Sequence, residues 1–204
     1  MGFGLMLIGY IITYAGALMS QISAFTYILG SGIILFSLRK LIFENKLFIV
    51  AISFAFLLEV SSIISLGIQL FGGNEAVSLV FAYIANSSAL LLNLFLMIAI
   101  FILAKSVDVP SVKYMSIIST ILVGICIALF VACSIVKADY ALERLNLLYF
   151  ILTLIYSVLS AVVIFNSYVR ICYEGDEKMQ KESSGIPFFD TLNRMFDKIF
   201  TKKK

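Results

Sequence analysis

The sequence predicts an all-α integral membrane protein, a bundle of six transmembrane helices followed by a C-terminal amphipathic helix at the membrane surface. Two observations carry this expectation. Of the 204 residues, 62% are hydrophobic and 13% charged, whereas soluble domains hold about 25% charged residues. The apolar residues also fall into six runs, bounded by charged or turn residues, at 2–19, 22–38, 47–71, 76–104, 112–136 and 145–169. Each is near or above the roughly 20 residues that an α-helix needs to cross a hydrocarbon core of about 30 Å. The runs lack the period-two alternation of barrel strands, and lipid offers no partner to open backbone groups, so helices follow.

The first run has no Lys or Arg before Ser20 to form a basic leader, and Ala15-Gly16-Ala17 imitates a small-residue cleavage site only weakly. It is therefore expected to be a retained span. Met6 stands where N-myristoylation of Gly2 would want Ser or Thr. Gly9, Thr13 and Ala17 make a small-residue row at four-residue spacing, suited to close helix packing. A turn is expected at Ser20-Gln21, because one helix from Gly2 to Leu38 would be about 55 Å long, nearly twice the hydrocarbon thickness. Six spans are accordingly preferred to five.

At the middle of the second run, Gly30-Ser31-Gly32 admits two readings. Close approach of a neighbouring helix is the preferred one. A helix break at Gly30 and Gly32, freeing backbone carbonyls as transporters do, is the rival. In the fifth run, Ser116, Ser119, Thr120 and Gly124 look like another packing row. Cys126 and Cys133 are seven residues apart, about 10 Å along a helix, too far for a disulfide. Cys172 follows the last run and is expected to be an ordinary juxtamembrane cysteine, with acylation as the alternative. Tyr114, Tyr140, Tyr149, Tyr168 and Tyr173 lie near predicted span ends, where amphipathic rings settle in the absence of tryptophan.

The chain after the bundle has two parts. Residues 173–186 are polar and mixed in charge, as a flexible cytoplasmic linker would be. Over 187–204, opening on Pro187, the residues Phe188, Phe189, Leu192, Met195, Phe196, Ile199 and Phe200 recur at three- and four-residue steps. Lys202, Lys203 and Lys204 close the segment. An interfacial helix on anionic inner-leaflet lipids is expected, with docking to a membrane or cytoplasmic protein partner as the rival. The lysines also offset the dipole at a helix C-terminus.

Charge gives the orientation. With the N-terminus inside, Arg39, Lys40, Lys46, Lys105, Lys113, Arg170, Lys178, Lys181, Arg194, Lys198, Lys202, Lys203 and Lys204 are cytoplasmic, and only Lys137 and Arg144 lie outside. This asymmetry places both termini in the cytoplasm of a multi-pass plasma-membrane protein, with a bacterial membrane expected from the compact loops. The outer loops are too short to build a domain, so any outside ligand must be met by the bundle. The modest net charge of +3 is spread over membrane flanks, which argues against a nucleic-acid partner.

No histidine occurs in the chain, which removes Ser-His and Cys-His nucleophiles, imidazole metal sites and the usual haem ligands. There is no paired intramembrane carboxylate, and Gly72-Gly73 is a turn without the following Lys-Ser/Thr of a phosphate loop. No catalytic role, metal or cofactor is expected.

The one ionisable residue well inside a span is Glu59, where a charge costs on the order of 3 kcal/mol. It is expected to face the bundle interior. Asn86 and Asn93 lie seven residues apart on one face of the fourth span, with Tyr83 on the same side and at a depth shared with Glu59. The last span adds a polar row of Tyr149, Thr153, Tyr156, Ser157 and Ser160.

Two functions fit these residues. The first is a small transporter, or the membrane-embedded solute-binding component of one, in which Glu59, Tyr83, Asn86 and Asn93 hold a proton, cation or amine-bearing solute. In span number, length and placement of termini the chain resembles the integral substrate-binding components of vitamin-uptake transporters, a resemblance of architecture without matching motifs. The second is a non-catalytic sensor, regulator or assembly factor acting through its bundle and C-terminal helix. For Glu59 itself the alternative to a functional role is a neutral carboxylic acid hydrogen-bonded to Asn86 or Asn93, joining two helices.

Overall fold

The computed structural model describes residues 2–17, 23–42, 45–135 and 139–171, together with 191 and 195. They form six helices, α1 (Gly2–Ala17), α2 (Ser23–Leu41), α3 (Leu47–Leu70), α4 (Glu75–Ser106), α5 (Pro110–Ile135) and α6 (Asp139–Arg170). There is no strand among the described residues. Five helices, α2 to α6, are long and apolar enough to cross a membrane. The first has 16 residues, about 24 Å at the helical rise.

Local chemistry sets the helix ends. Asn74 caps α4, its side chain accepting a hydrogen bond from the Ala76 amide at 2.9 Å and satisfying one of the orphan donors of the first turn. The preceding turn passes through Gly72 at φ 69°, a backbone conformation that glycine adopts without strain. Asn45 Oδ1 accepts from the Leu47 amide at 3.0 Å at the start of α3. Pro110 opens α5, where its missing N–H has no intrahelical partner to lose.

Successive helices pack side by side, and α6 closes back onto α1. The fourth helix leans inward: 61% of its span is buried, against 22% to 39% for the other four membrane-length helices. Its inner face is built from Ser88, Ala89, Leu92, Asn93, Leu96 and Ile100. The helix ends gather Arg39, Lys40, Lys46, Lys105, Lys113 and Arg170 at one end of the bundle. There Arg170 donates to Ser111 Oγ at 2.8 Å, tying α6 to α5.

The N-terminal hairpin shows why α2 is rich in small residues. Gly2 lies against Leu41, and Gly9 against Gly30, Ile33 and Ile34, so α1 runs antiparallel to α2. A Cβ on Gly9 would stand 2.9 Å from the Gly30 carbonyl oxygen, and one on Gly30 would stand 2.8 Å from that of Gly9 and collide with Thr13. The two backbones touch where no side chain fits, which is close packing of the small-residue kind. The helix runs unbroken from Ser23 to Leu41, so the alternative of a break at Gly30 and Gly32 is not what this sequence forms.

One further expectation needs correction. Ser116 and Ser119 are buried as packing residues, but Gly124 faces open space, because eight residues carry it about 80° round the helix from Ser116. Tyr149 is half-buried, almost three turns into α6, which begins at Asp139. The expected turn at Ser20-Gln21, Cys172, the linker and most of the C-terminal amphipathic stripe lie outside the described residues. Of that stripe Met195 is described, as helical and exposed.

Candidate functional site

Polar side chains in a bilayer must find partners within the bundle, and α4 collects most of them. Asn93 is buried at its middle and its amide donates to Ser160 Oγ of α6 at 3.4 Å. Ser160 is 2.6 Å from Ser119 Oγ of α5, so three helices meet through one small polar cluster. Tyr10 of α1 reaches the same place: its hydroxyl lies beside Ser160, Asn93 and Ser157. The Tyr10 hydroxyl and Asn93 Oδ1 form no hydrogen bond there.

One to two turns further from the basic end, the bundle opens into a cavity of about 190 Å³. Tyr14 of α1, Tyr27 of α2, and Tyr149 and Tyr156 of α6 line it together with Phe130, Phe150, Ala89, Leu90, Asn86 and Thr153. Tyrosine rings supply apolar faces while their hydroxyls need partners. Tyr14 donates to the Ala89 carbonyl at 2.6 Å, and Tyr27 donates to Asn86 Oδ1 at 2.9 Å. Tyr10 and Tyr14 stack at 4.3 Å, and Tyr156 meets Tyr14 edge-on at 6.2 Å, which fixes the ring orientations.

Two polar groups of this cavity remain uncommitted. Asn86 spends its oxygen on Tyr27, and its Nδ2 has no acceptor among the described residues. Thr153 Oγ1 is buried without a hydrogen bond, although Tyr149 and Cys126 lie beside it. A cavity with aromatic walls and two free polar groups has the make-up of a small-molecule site. Its volume exceeds that of an apolar cavity known to admit benzene, about 150 Å³.

Of the four candidate solute-binding residues Asn86 lines this cavity, as do Tyr149, Thr153 and Tyr156 of the polar row in α6. Asn93 lies below it in the serine cluster. Tyr83 is 56% exposed and rests its ring 6.1 Å from Phe130, on the flank of the cavity rather than in it. Glu59 is elsewhere. It is half-buried at the seam of α2 and α3, beside Gly32, and no hydrogen bond joins it to Asn86, Asn93 or Tyr83. The expectation that it faces the bundle interior is thereby corrected: α3 turns Ala51, Ala55, Leu58 and Ser62 inward, and Glu59, about 100° round from Leu58, falls at the edge of that face.

The tyrosines of α1 and α2 are the cavity residues that sequence reasoning missed. Tyr10 and Tyr14 are four apart, on the helix that also carries the Gly9–Thr13 row, and that shared spacing was the available signal. Among the described residues no group of His, Cys, Asp or Glu is placed to hold a metal ion, and Cys126 and Cys133 are free thiols. Comparison with protein-family models, with curated proteins and with solved structures finds no match.

Proposed function

We propose that this membrane protein is a small transporter, or the membrane-embedded solute-binding component of one, and that its solute site is the tyrosine-walled cavity. The observation that supports this most strongly is the pair of uncommitted polar groups, Asn86 Nδ2 and Thr153 Oγ1, in an aromatic enclosure. Thr153 Oγ1, buried and unpaired, carries a desolvation penalty of about 1–3 kcal/mol, which a bound solute with a hydrogen-bonding group removes. The solute is of benzene to indole size, bound by ring stacking and hydrogen bonding. No catalytic step is assigned.

With the basic end of the bundle cytoplasmic, the cavity lies toward the outer face of a plasma membrane, on the side from which an external solute arrives. The 187–204 segment is proposed to rest on anionic lipids of the inner leaflet. A bacterial cell membrane is the proposed location.

The probe is indole, tested on the full chain in lipid nanodiscs. The chain has ten tyrosines and no tryptophan, so indole emission excited through tyrosine reports a ligand held among the tyrosine rings. Saturable sensitised emission is expected, weakened about fivefold by Thr153→Val and by Asn86→Leu, one hydrogen bond each. Emission that rises linearly with indole, or is equal in all three proteins, excludes this site.

A further inference from the structure

We propose that the seam between α2 and α3 is a bilayer-facing binding site for a lipophilic organic cation, with Glu59 as its counter-charge. The site is separate from the tyrosine cavity and does not depend on it.

A Cβ built on Gly32 would meet only one atom within 4 Å, Glu59 Oε1 at 3.7 Å. Gly32 therefore leaves a notch at least one methyl group deep beside the carboxyl oxygen. The residues one turn away on the same helix faces are Leu29 and Phe36 on α2 and Phe56 and Ile63 on α3. They are 47%, 58%, 61% and 50% exposed, so the notch opens to the acyl chains. Because the two helices are antiparallel, Phe36 and Phe56 share the side toward the basic end, and Leu29 and Ile63 the other.

Among the described residues no basic side chain forms an ion pair with this carboxylate. No side chain among the described residues donates to Glu59. The basic residues of α2, Arg39 and Lys40, lie seven and eight positions beyond Gly32, about 10–12 Å along the axis. Lys40 turns its ammonium over the Phe36 ring, 5.6 Å from the centroid. A second copy of the chain has no Lys or Arg in any span at this depth to offer.

A lone carboxylate in hydrocarbon calls for a cation that itself dissolves there. Phe56 would offer such a cation an aromatic face, and Phe36, whose ring already carries the Lys40 ammonium, an apolar edge. A partner helix is the less suitable occupant, since close helix approach needs small residues along the face, and here bulky side chains stand on both sides of one glycine.

The test uses labelled tetraphenylphosphonium with the full chain in nanodiscs. A single saturable site is expected, weakened about tenfold or more in Glu59→Gln and retained within about threefold in Glu59→Asp. Gly32→Leu fills the notch and is expected to weaken binding about as much, in protein that still elutes as one species. Tetraphenylborate, of the same shape and opposite charge, is expected not to compete, and Thr153→Val to bind the cation as the parent does. Equal binding by the parent and Glu59→Gln overturns the proposal. So does a polyleucine helix with one central lysine that associates with the parent but not with Glu59→Gln, where tetraphenylphosphonium does not bind: the occupant is then a partner helix.

Discussion

Helix α2 carries two glycines two residues apart, and they sit in opposite surroundings. Gly30 faces α1 across a gap that no side chain enters, while Gly32 faces α3 across a notch that holds only a carboxylate oxygen. The difference extends to the polar groups nearby. Toward the interior, Tyr14, Tyr27, Asn93, Ser119 and Ser160 find hydrogen bonds on other helices. Toward α3, Glu59 finds none among the described residues and is half-buried at the edge of the packed face. The interior encloses its polar groups and pairs most of them, Tyr10, Thr153 and Asn93 Oδ1 excepted, whereas the seam holds a carboxyl group with no hydrogen bond among the described residues. Such an unmatched group is more readily explained by use than by stability, because polar contacts between membrane helices average only about 0.6 kcal/mol.

Stability measurements in bicelles can break or sharpen this contrast. The largest effect is expected from Gly30→Leu, whose side chain has to part α1 from α2; a loss of about 3 kcal/mol follows from overpacking of this severity. Gly32→Leu, at the open seam, should stay well below that, and equal losses for the two would erase the contrast. Next comes Glu59→Leu, which replaces a carboxyl in hydrocarbon with an aliphatic side chain and should raise stability by about 2 kcal/mol. A destabilised Glu59→Leu protein would mean that the carboxyl has an internal partner after all. Tyr14→Phe removes the hydroxyl bond to the Ala89 carbonyl and should cost about 1 kcal/mol. The smallest change is expected from Gly32→Ala, a gain of up to about 1 kcal/mol from helix propensity at a position with room for a methyl group.

The bundle was legible because lipid imposes a strict rule on the chain: long apolar stretches bounded by charge become helices. The helix ends were less so. Arg39 and Lys40 continue α2, and residues 139 to 144 begin α6, although neither stretch is apolar. Hydropathy records where the chain leaves the hydrocarbon, whereas the backbone stays helical until a turn such as Gly72 or Asp108, at φ 54°, stops it.

The candidate site divides along the same line. The two asparagines and the polar row of α6 stood out because amides and hydroxyls are uncommon at such depth, and the structure puts Asn86, Tyr149, Thr153 and Tyr156 into one cavity wall. Glu59 stood out for the same reason yet lies apart, since residue depth is written in the sequence and rotation about the helix axis is not. In α3 the row Ser62, Ser65 and Gln69 marks the packed side, and Glu59 stands about 60° or more round the axis from each of them. Packing against α4, through Phe54 stacked on Phe95 at 5.3 Å and Ser65 beside Ser78, fixes that rotation.

Saturation binding of indole to two variants tests most directly which of these two places receives a solute of that kind. Thr153→Val is expected to lose about fivefold in affinity while Glu59→Gln binds as tightly as the parent chain. The reverse pattern, a weakened Glu59→Gln beside an unchanged Thr153→Val, would move the solute site from the tyrosine cavity to the helix seam and contradict the account.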